Sequence, residues 1–332
     1  MNHKAPELSI IYVNYKSIDD LKVSINSVQK FTSVIYEIIV LDNASEDNLK
    51  SLETTYTSLK VVYLSENLGF GKACNIGVSK AKGEFILLLN PDTILIDDAI
   101  SDCLRVYKTF DKESIGALTC RHQYPNGEFQ HSSCQRDMLP QLPFLKTLLK
   151  RIKISPREYF VASEGLMIQH QKSHFTYAVH GSFFMAYKKL LIEYPFDEDF
   201  FLYAEEIDLC RRLSSQNRRS YYYADAIIIH SSDRAKTVVQ VRNQTYLSNS
   251  LLVLKFYGKV GFAFYYFLRL IGSLIMIMIL PLFPSKAKMN IKSHLGDVKP
   301  FSQDYLKIFS YSRKINSHKP LISSALSKLQ DH

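Results

Sequence analysis

Asn90-Pro91-Asp92 forms a turn directly after the apolar run Phe85–Leu89, and its aspartate is a candidate for chemistry. A carboxylate at the end of a strand can hold Mg²⁺ or Mn²⁺, which share oxygen ligands readily with the phosphates of a substrate. The same Pro-Asp-Thr sequence also suits an Asx turn, or the cap of a helix ahead of Ile94. Taken alone, the local residues favour the cap and leave the metal site open.

Asn14 and Asp42 stand at equivalent places after two other predicted strands. Leu8–Val13 and Tyr36–Leu41 are short apolar runs rich in β-branched residues, a pattern typical of buried strands. Ligands of open α/β sheets bind beyond the carboxyl ends of the strands. We therefore expect Asn14, Asp42 and the turn at Asp92 to share one ligand-binding edge. For Asp42 the alternative is an Asx turn that only shapes the loop.

Strands and helices alternate through the first 120 residues, which predicts an α/β domain with a mainly parallel sheet and helices on both faces. Further strands are predicted at Lys60–Leu64, Phe85–Leu89 and Ile115–Cys120, and helices at Ser17–Lys30, from Ser45, at Phe70–Lys80 and at Asp97–Phe110. Beyond residue 121 we predict a hairpin turn at Pro125-Asn126-Gly127, strands at Gly181–Tyr187 and Ser220–His230, and a helix within Phe201–Leu213.

The composition is that of a globular protein, with 46% hydrophobic and 22% charged residues in 332. The net charge of +9 suits an anionic lipid, a phosphorylated substrate or nucleic acid, but no nucleic-acid-binding motif accompanies it. Five scattered cysteines without a CxxC motif indicate neither a disulfide framework nor a zinc site. We expect a reduced, cytosolic compartment and no signal peptide, because residues 1–7 are polar.

From about Val238 the sequence favours helix, and Val260–Pro284 is strongly apolar. The longest run without a charge, Leu270–Ser285, has sixteen residues, fewer than the ~20 that span a bilayer. An interfacial or re-entrant element is favoured over a buried core helix, and a true span is the least favoured. Residues 285–332 carry nine Lys and Arg against three Asp, which would strengthen contact with anionic lipid.

Four ordered motifs resemble those of the family 2 glycosyltransferases, and most closely the rhamnosyltransferase-like branch that builds bacterial surface polysaccharides. They lie at Asp42–Ser45, Asn67–Asn75, Leu89–Thr93 and Phe196–Arg212. The resemblance covers roughly residues 8–260. It implies a GT-A fold, a nucleotide-diphosphate-sugar donor, a divalent metal (Mg²⁺ or Mn²⁺) and inversion at the anomeric carbon. From the pattern along the chain we expect a catalytic domain over 1–237, with a nucleotide-binding half (1–120) and an acceptor half (121–237), followed by a helical, membrane-associating region over 238–332.

On the donor side, Asp92 is similar to the last acid of the family's metal-binding Asp-x-Asp motif. Asn90 stands at the first position of that motif, so only one carboxylate is present here. Asp42 matches the acid that hydrogen-bonds the nucleobase. The other donor-side residues implied by the resemblance are Tyr12, Val13 and Asn14 beside the base and ribose, and Asn67 and Lys72 at the nucleotide cleft.

On the acceptor side, Glu206 fills the place of the acid that deprotonates the acceptor hydroxyl in the family, where the usual pair is Glu-Asp. Here the pair is Glu205-Glu206, one methylene longer, and Glu205 is the second candidate base. A base of this kind must lie within hydrogen-bond reach of the attacking hydroxyl. The alternative is that these acids only offset the dipole of a helix N-terminus.

His230 ends an apolar strand and resembles a histidine that ligates the metal or binds the diphosphate in this family. The alternative is a hydrogen-bonded loop histidine. Arg234 follows in a loop from which it could reach the leaving diphosphate. Gly181 begins the acceptor-side strand, where a glycine permits close approach of substrate.

The resemblance implies an inverting, metal-dependent transfer to a glycan or polyprenyl-linked glycan acceptor, with dTDP-rhamnose as the first expected donor and UDP-sugars second. The expected location is the cytoplasm, peripherally on the inner face of the cell membrane. A nicotinamide dehydrogenase is disfavoured because Cys74 replaces the third glycine of its fingerprint. The remaining alternative is a non-catalytic membrane scaffold or binding protein that keeps the GT-A fold.

Overall fold

The computed structural model describes residues 5–134, 170–231 and 238–279. These residues fall into two compact units, one formed by 5–134 with 170–231 and the other by 238–279. The division of the catalytic domain at residue 237, and its two halves, stay predictions.

The first unit contains twelve strands and six helices within its described residues. The strands are β1 (Leu8–Asn14), β2 (Tyr36–Asp42), β3 (Leu59–Tyr63), β4 (Phe85–Leu89), β5 (Thr93–Leu95), β6 (Ile115–Gln123), β7 (Phe129–Gln130), β8 (Ser133–Cys134), β9 (His174–Thr176), β10 (Ala178–Val179), β11 (Phe183–Tyr187) and β12 (Arg219–His230). The helices are α1 (Ile18–Phe31), α2 (Lys50–Thr55), α3 (Phe70–Lys80), α4 (Ala99–Tyr107), α5 (Lys188–Glu193) and α6 (Glu205–Ser214).

The main sheet has the strand order β3-β2-β1-β4-β11-β6-β12-β5, with β7 and β9 paired to β6 and β12. Its first four strands are parallel, which confirms the α/β sheet predicted from the alternating pattern. Strand β11 then runs antiparallel to β4, with Phe183 opposite Leu89. Every residue of β4 and β11 is buried, so these two strands form the centre of the core.

The antiparallel pairing of β11 with β4 has a direct consequence for the candidate site. The chain enters β11 beside the point where it leaves β4, so Gly181 and Ser182 lie next to Asn90. The backbone N–H of Asn90 donates to the carbonyl of Ser182 at 3.1 Å. The segment that leads into β11 is thereby joined to the carboxyl end of a parallel strand, where ligands of such sheets bind.

The helix predicted from Ser45 is wrong, because helix α2 begins only at Lys50. Ala44 and Glu46 have left-handed backbone angles (φ 56° and 66°), which interrupt any helix at this point. The hydroxyl and N–H of Ser45 turn back instead to the carboxylate of Asp42. The segment after β2 is therefore a tight loop shaped by its own polar side chains.

The second unit is the helix α7 (Val238–Ile279), which is broken at Gly258 (φ 68°, ψ −171°). Val253 and Leu254 before the break and Phe262 and Tyr265 after it pack in one buried cluster. Residues 247–268 are long and apolar enough to cross a membrane, judged by length and composition alone. The apolar stretch predicted at 260–284 extends beyond the described residues.

Candidate active site

Asn14 and Asp42 stand side by side at the ends of β1 and β2, in register with each other. Both are buried, and both bind the loop after β2. The amide of Asn14 donates to the Ser45 hydroxyl at 3.0 Å and to the Asp47 carboxylate at 2.8 Å. The shared edge predicted from the sequence is present, and its polar groups form a network that fixes the loop.

The Asx turn considered for Asp42 is present. One carboxylate oxygen of Asp42 accepts hydrogen bonds from the N–H of Ser45 at 3.2 Å and from its hydroxyl. This contact organises the loop, and a contact of Asp42 with a nucleobase stays a prediction. Val13 is half-buried on β1, whereas the Tyr12 side chain is wholly buried, with its hydroxyl 2.9 Å from that of Ser24. The contact predicted for Tyr12, Val13 and Asn14 with the base and ribose stays a prediction.

Asn67 and Lys72, both predicted at the nucleotide cleft, have protein partners. The carbonyl oxygen of the Asn67 side chain accepts from the Asn43 amide at 2.9 Å and from the Gly69 N–H at 3.0 Å. Lys72 on α3 lies 3.5 Å from the Glu198 carboxylate, and about half of each side chain is exposed. Asn67 thus closes its own loop, and Lys72 joins α3 to the segment before α6.

The motif at residues 67–75 holds the acceptor-side segment through backbone contacts. The Phe70 N–H donates to the Phe201 carbonyl at 2.8 Å. Gly69 has a left-handed backbone (φ 81°), and a Cβ at this position would lie 2.1 Å from the same carbonyl oxygen. Only glycine fits here, because both the conformation and the close approach exclude a side chain.

Asn75 completes this connection, which we call the α3 latch (Gly69, Phe70 and Asn75 with Phe196 and Phe201). Its amide donates to the Phe196 carbonyl at 2.9 Å, and its carbonyl oxygen accepts the Phe196 N–H at 2.9 Å. The Asn75 side chain thus makes the same pair of hydrogen bonds with the buried backbone of Phe196 that a residue of a neighbouring strand would make. The sequence interpretation gave Asn75 no role, although an amide within a motif was a signal that could have drawn attention to it.

The turn at Asp92 is not a helix cap. Strand β5 begins at Thr93. The backbone N–H and the hydroxyl of Thr93 both donate to the Asn90 carbonyl, at 3.2 Å and 2.6 Å. The next helix, α4, begins at Ala99 and is capped instead by Asp98, which accepts from Ser101. The carboxylate of Asp92 therefore remains at the carboxyl end of β4, with 28% of its side chain exposed.

His230 meets this turn because β12 pairs antiparallel with β5, with His230 opposite Thr93. Its Nε2 lies 3.2 Å from Oδ1 of Asp92. Two ligand atoms about 2.1 Å from an octahedral cation and at right angles to it lie about 3.0 Å apart. The pair therefore fits adjacent corners of a Mg²⁺ or Mn²⁺ site. Within the described residues no group of three or more His, Cys, Asp or Glu could hold a metal, so the pair would share the cation with other oxygens, such as those of water or substrate.

Glu205 and Glu206 open helix α6, immediately after two residues in left-handed conformations, Tyr203 and Ala204 (φ 69° each). Such strained residues cluster at functional sites. Glu205 is 3% exposed, and burial together with the charge of Glu206 raises its pKa well above the ordinary value. Burial also raises the pKa of Glu206, to about 7, against hydrogen bonds from its own N–H and from Gly181.

One oxygen of Glu206, Oε2, is buried and has no hydrogen-bond partner in the described structure. An unpartnered carboxylate oxygen is costly in a protein interior and calls for an explanation. A carboxylate with a pKa near 7 and an unoccupied oxygen can accept a proton at neutral pH. Glu205, which holds its proton more tightly, is less suited to that role.

Gly181 and Ser182 connect the acid pair with the turn at Asp92. The Gly181 N–H binds Glu206, and the Ser182 carbonyl accepts from Asn90. The Ser182 hydroxyl lies 2.9 Å from Nε2 of the buried His122. Burial lowers the pKa of His122 well below its usual value, so this histidine is neutral. Arg234, the remaining predicted site residue, lies outside the described residues.

A sequence profile described as Glycosyl transferase family 2 matches residues 9–190, more than half of the chain. The chain is 26% identical over 253 residues to the low-salt glycan biosynthesis hexosyltransferase Agl10 of Haloferax volcanii, spanning 73% of this chain and 72% of the relative. It is 26% identical over 203 residues to the rhamnosyltransferase WbbL of Escherichia coli, spanning 59% and 72%. Two other curated relatives match over only 36% of their length.

Among solved structures, the chain is similar to the mannosyltransferase PcManGT of Pyrobaculum calidifontis in complex with GDP-Man and Mn²⁺. The TM-score is 0.55 at 14% sequence identity, over 96% of this chain and 89% of that one. This likeness shows the fold alone, and it confirms the GT-A fold expected from the motifs.

Replacing Asn75 by Ala should loosen the segment at 196–206. The variant leaves the buried N–H and carbonyl of Phe196 unpaired, at a cost of about 1–3 kcal/mol for each group. Hydrogen–deuterium exchange should rise at 196–206 and stay unchanged in β1 and β2. Ser79→Ala, on the exposed side of the same helix, is the control. Equal protection at 196–206 in Asn75→Ala and in the wild type would show that the α3 latch does not hold this segment.

Proposed function

The chain belongs to glycosyl transferase family 2, and from this premise we propose that it transfers a sugar from a nucleotide-diphosphate donor to a hydroxyl of a glycan, with inversion at the anomeric carbon. The observation that carries the proposal is the buried, unpartnered oxygen of Glu206, joined through Gly181 and Ser182 to the turn at Asp92. The group that accepts the proton and the turn that binds the phosphate-bearing donor then lie in adjoining parts of one site.

Glu206 is the proposed general base. Its Oε2 takes the proton of the acceptor hydroxyl while the hydroxyl oxygen bonds to the anomeric carbon. The bond from that carbon to the diphosphate oxygen breaks, and the electron pair leaves with the nucleoside diphosphate. The Gly181 N–H, which already binds the carboxylate, fixes its direction. Burial and the charge of Glu206 raise the pKa of Glu205 well above its ordinary value, which favours its protonated form beside the base.

Asp92 and His230 are the proposed protein ligands of a divalent metal, Mg²⁺ or Mn²⁺. Their donor atoms have the spacing of adjacent ligands, and Asn90 can add an amide oxygen but no charge. When bound, such a cation would stabilise the negative charge that develops on the leaving diphosphate. Asp92 holds the only carboxylate of the turn, so it should contribute most of the protein's affinity.

We propose dTDP-rhamnose as the first donor to test, with UDP-sugars next, and a glycan or polyprenyl-linked glycan as acceptor. The rhamnosyltransferase relative supports the first choice, and the hexosyltransferase relative supports the wider panel. Mass spectrometry of nucleotide release across this panel, with and without metal, tests the assignment.

We further propose that the protein acts from the cytoplasm, bound peripherally to the inner face of the cell membrane. Val260, Phe264 and Phe267 of α7 have exposed side chains (85%, 62% and 56%). They are spaced four and three residues apart, which places them on one side of a helix. The net charge of +9 favours an anionic lipid surface.

Asp92→Ala should abolish measurable Mn²⁺ binding in calorimetry and weaken donor binding in the presence of the metal, because the only carboxylate of the turn is lost. Asn90→Asp should tighten Mn²⁺ binding, because it adds a second charged oxygen at the same turn. Asp102→Asn, a surface carboxylate paired with Arg105, is the matched control. Unchanged Mn²⁺ affinity in Asp92→Ala would exclude Asp92 as a ligand.

Glu206→Gln should lower turnover by about 10²–10⁴-fold and leave donor affinity nearly unchanged, because the amide cannot accept the proton. In the wild type, the rate should rise with pH through about 7, since Glu206 must be ionised to act and is protonated below its raised pKa.

Glu205→Gln provides the comparison for this experiment, because an amide resembles the protonated acid that the raised pKa of Glu205 favours. This variant should keep the rise in rate near pH 7. A wild-type rate in Glu206→Gln, or the same rise with pH in that variant, would place the base elsewhere.

Phe264→Asp should weaken binding of the full chain to vesicles that contain anionic lipid, as measured by flotation, because it places a charge within the exposed apolar stripe of α7. Val23→Asp, at an exposed valine of α1, is the matched control and should float like the wild type. If the wild type fails to float, or if both variants float equally well, the membrane proposal is wrong.

A further inference from the structure

The turn predicted at Pro125-Asn126-Gly127 closes the hairpin of β6 and β7, and the proposed function leaves this hairpin without a role. The Gly127 N–H donates to the Tyr124 carbonyl at 2.8 Å, and the Tyr124 N–H to the Glu128 carbonyl at 2.8 Å. The two strands pair with Gln130 opposite His122. The hairpin therefore returns Gln130 to the carboxyl end of the sheet, beside β12.

Gln130 contacts the ring of His230 on the side away from Asp92. Its Oε1 lies 3.1 Å from Nδ1 of His230. Gln130 is 8% exposed, so this contact is shielded from solvent. A carboxamide oxygen can only accept a hydrogen bond, so Nδ1 must carry the hydrogen.

The other side of the imidazole agrees with this assignment. The amide nitrogen of Asn90, which can only donate, lies 3.5 Å from Nε2 of His230. If Nε2 accepts this N–H, its lone pair lies 3.2 Å from the carboxylate oxygen Oδ1 of Asp92. Two atoms with lone pairs at that distance repel each other unless a proton or a cation lies between them.

The His230 ring is also supported by the edge of His122, with ring centroids 5.8 Å apart and an interplanar angle of 81°. His122 in turn is held by the Cys120 carbonyl at 3.0 Å and by the Ser182 hydroxyl at 2.9 Å. The ring plane of His230 is thus fixed by packing, while the choice of tautomer depends on the contact with Gln130.

We propose that Gln130 is a positioning residue that holds His230 in the tautomer whose Nε2 lone pair faces Asp92, so that these two side chains can bind one divalent cation. Metal-ligating histidines generally donate their other ring N–H to a fixed acceptor, and losing that acceptor typically costs 10–100-fold in metal affinity. This inference rests on the proposed function, since it assigns a support to the same metal site. It also assigns a role to the β6–β7 hairpin, which holds Gln130 beside His230.

The test measures Mn²⁺ binding to the full chain by electron paramagnetic resonance, without donor or acceptor. Gln130→Leu, which removes the acceptor at similar size, should weaken Mn²⁺ binding by about 10–100-fold. Gln130→Glu keeps an oxygen acceptor at Nδ1 and should bind at least as tightly as the wild type. Gln216→Leu makes the same change at an exposed position and should have no effect. Equal affinity in Gln130→Leu and wild type would overturn the proposal.

A second measurement does not depend on metal. Nitrogen-15 NMR of the metal-free wild type should show the hydrogen of His230 on Nδ1, and Gln130→Leu should shift it towards Nε2. Hydrogen on Nε2 in the wild type would overturn the proposal even if the variants fail to fold. If no form of the protein binds Mn²⁺, the metal site of the proposed function is wrong, and only the hydrogen bond from Nδ1 to Gln130 remains. If the wild type binds Mn²⁺ and Gln130→Leu binds it equally well, the metal site stands and this inference alone is overturned.

Discussion

Glu206, the Asn90–Asp92 turn and His122 all hydrogen-bond to two consecutive residues, Gly181 and Ser182. This arrangement depends on one constraint, the antiparallel entry of β11 beside the exit of β4. The parallel strands form an edge where ligands can bind, but Gly181 and Ser182 come about 90 residues after the Asn90–Asp92 turn in the sequence. The reversed strand β11 brings them to this edge, where their backbone contacts both the proposed base and the turn that holds a proposed metal ligand.

The surroundings of the Glu205-Glu206 pair and of Asp92 have opposite effects on negative charge. Around Glu205 and Glu206 the protein removes water, and this burial raises the pKa of both carboxyls, with the charge of Glu206 adding to the rise at Glu205. At Asp92 the carboxylate stays partly exposed and faces an imidazole. One region therefore favours uptake of a proton, and the other favours retention of a negative charge that can hold a cation. A reaction that moves a proton away from an alcohol and releases a diphosphate needs both conditions.

Sequence reasoning located the strand ends well, because buried parallel strands have a recognisable composition and their carboxyl ends share one edge. Asn14, Asp42 and Asp92 were placed in this way, and His230 was expected near them. The Asx turn at Asp42, given as the alternative to nucleobase binding, is present, but the helix expected from Ser45 is not formed, because two left-handed residues interrupt it. Tyr12 was expected beside the base, and its ring is buried.

The partners of Asn75 and Gln130 could not be identified in advance, because they lie 121 and 100 residues away along the chain. No local periodicity contains such a pairing. It is set by the register of β12 on β5 and by the approach of the segment at 196–201 to helix α3. The α3 latch also bears on how such chains diversify. Helix α3 holds the loop that precedes the proposed base, so residues 67–75 and 196–206 depend on each other although they lie far apart in the sequence. A chimaera that replaces the strands before β6 would therefore have to keep residues 67–75 together with the loop that they hold.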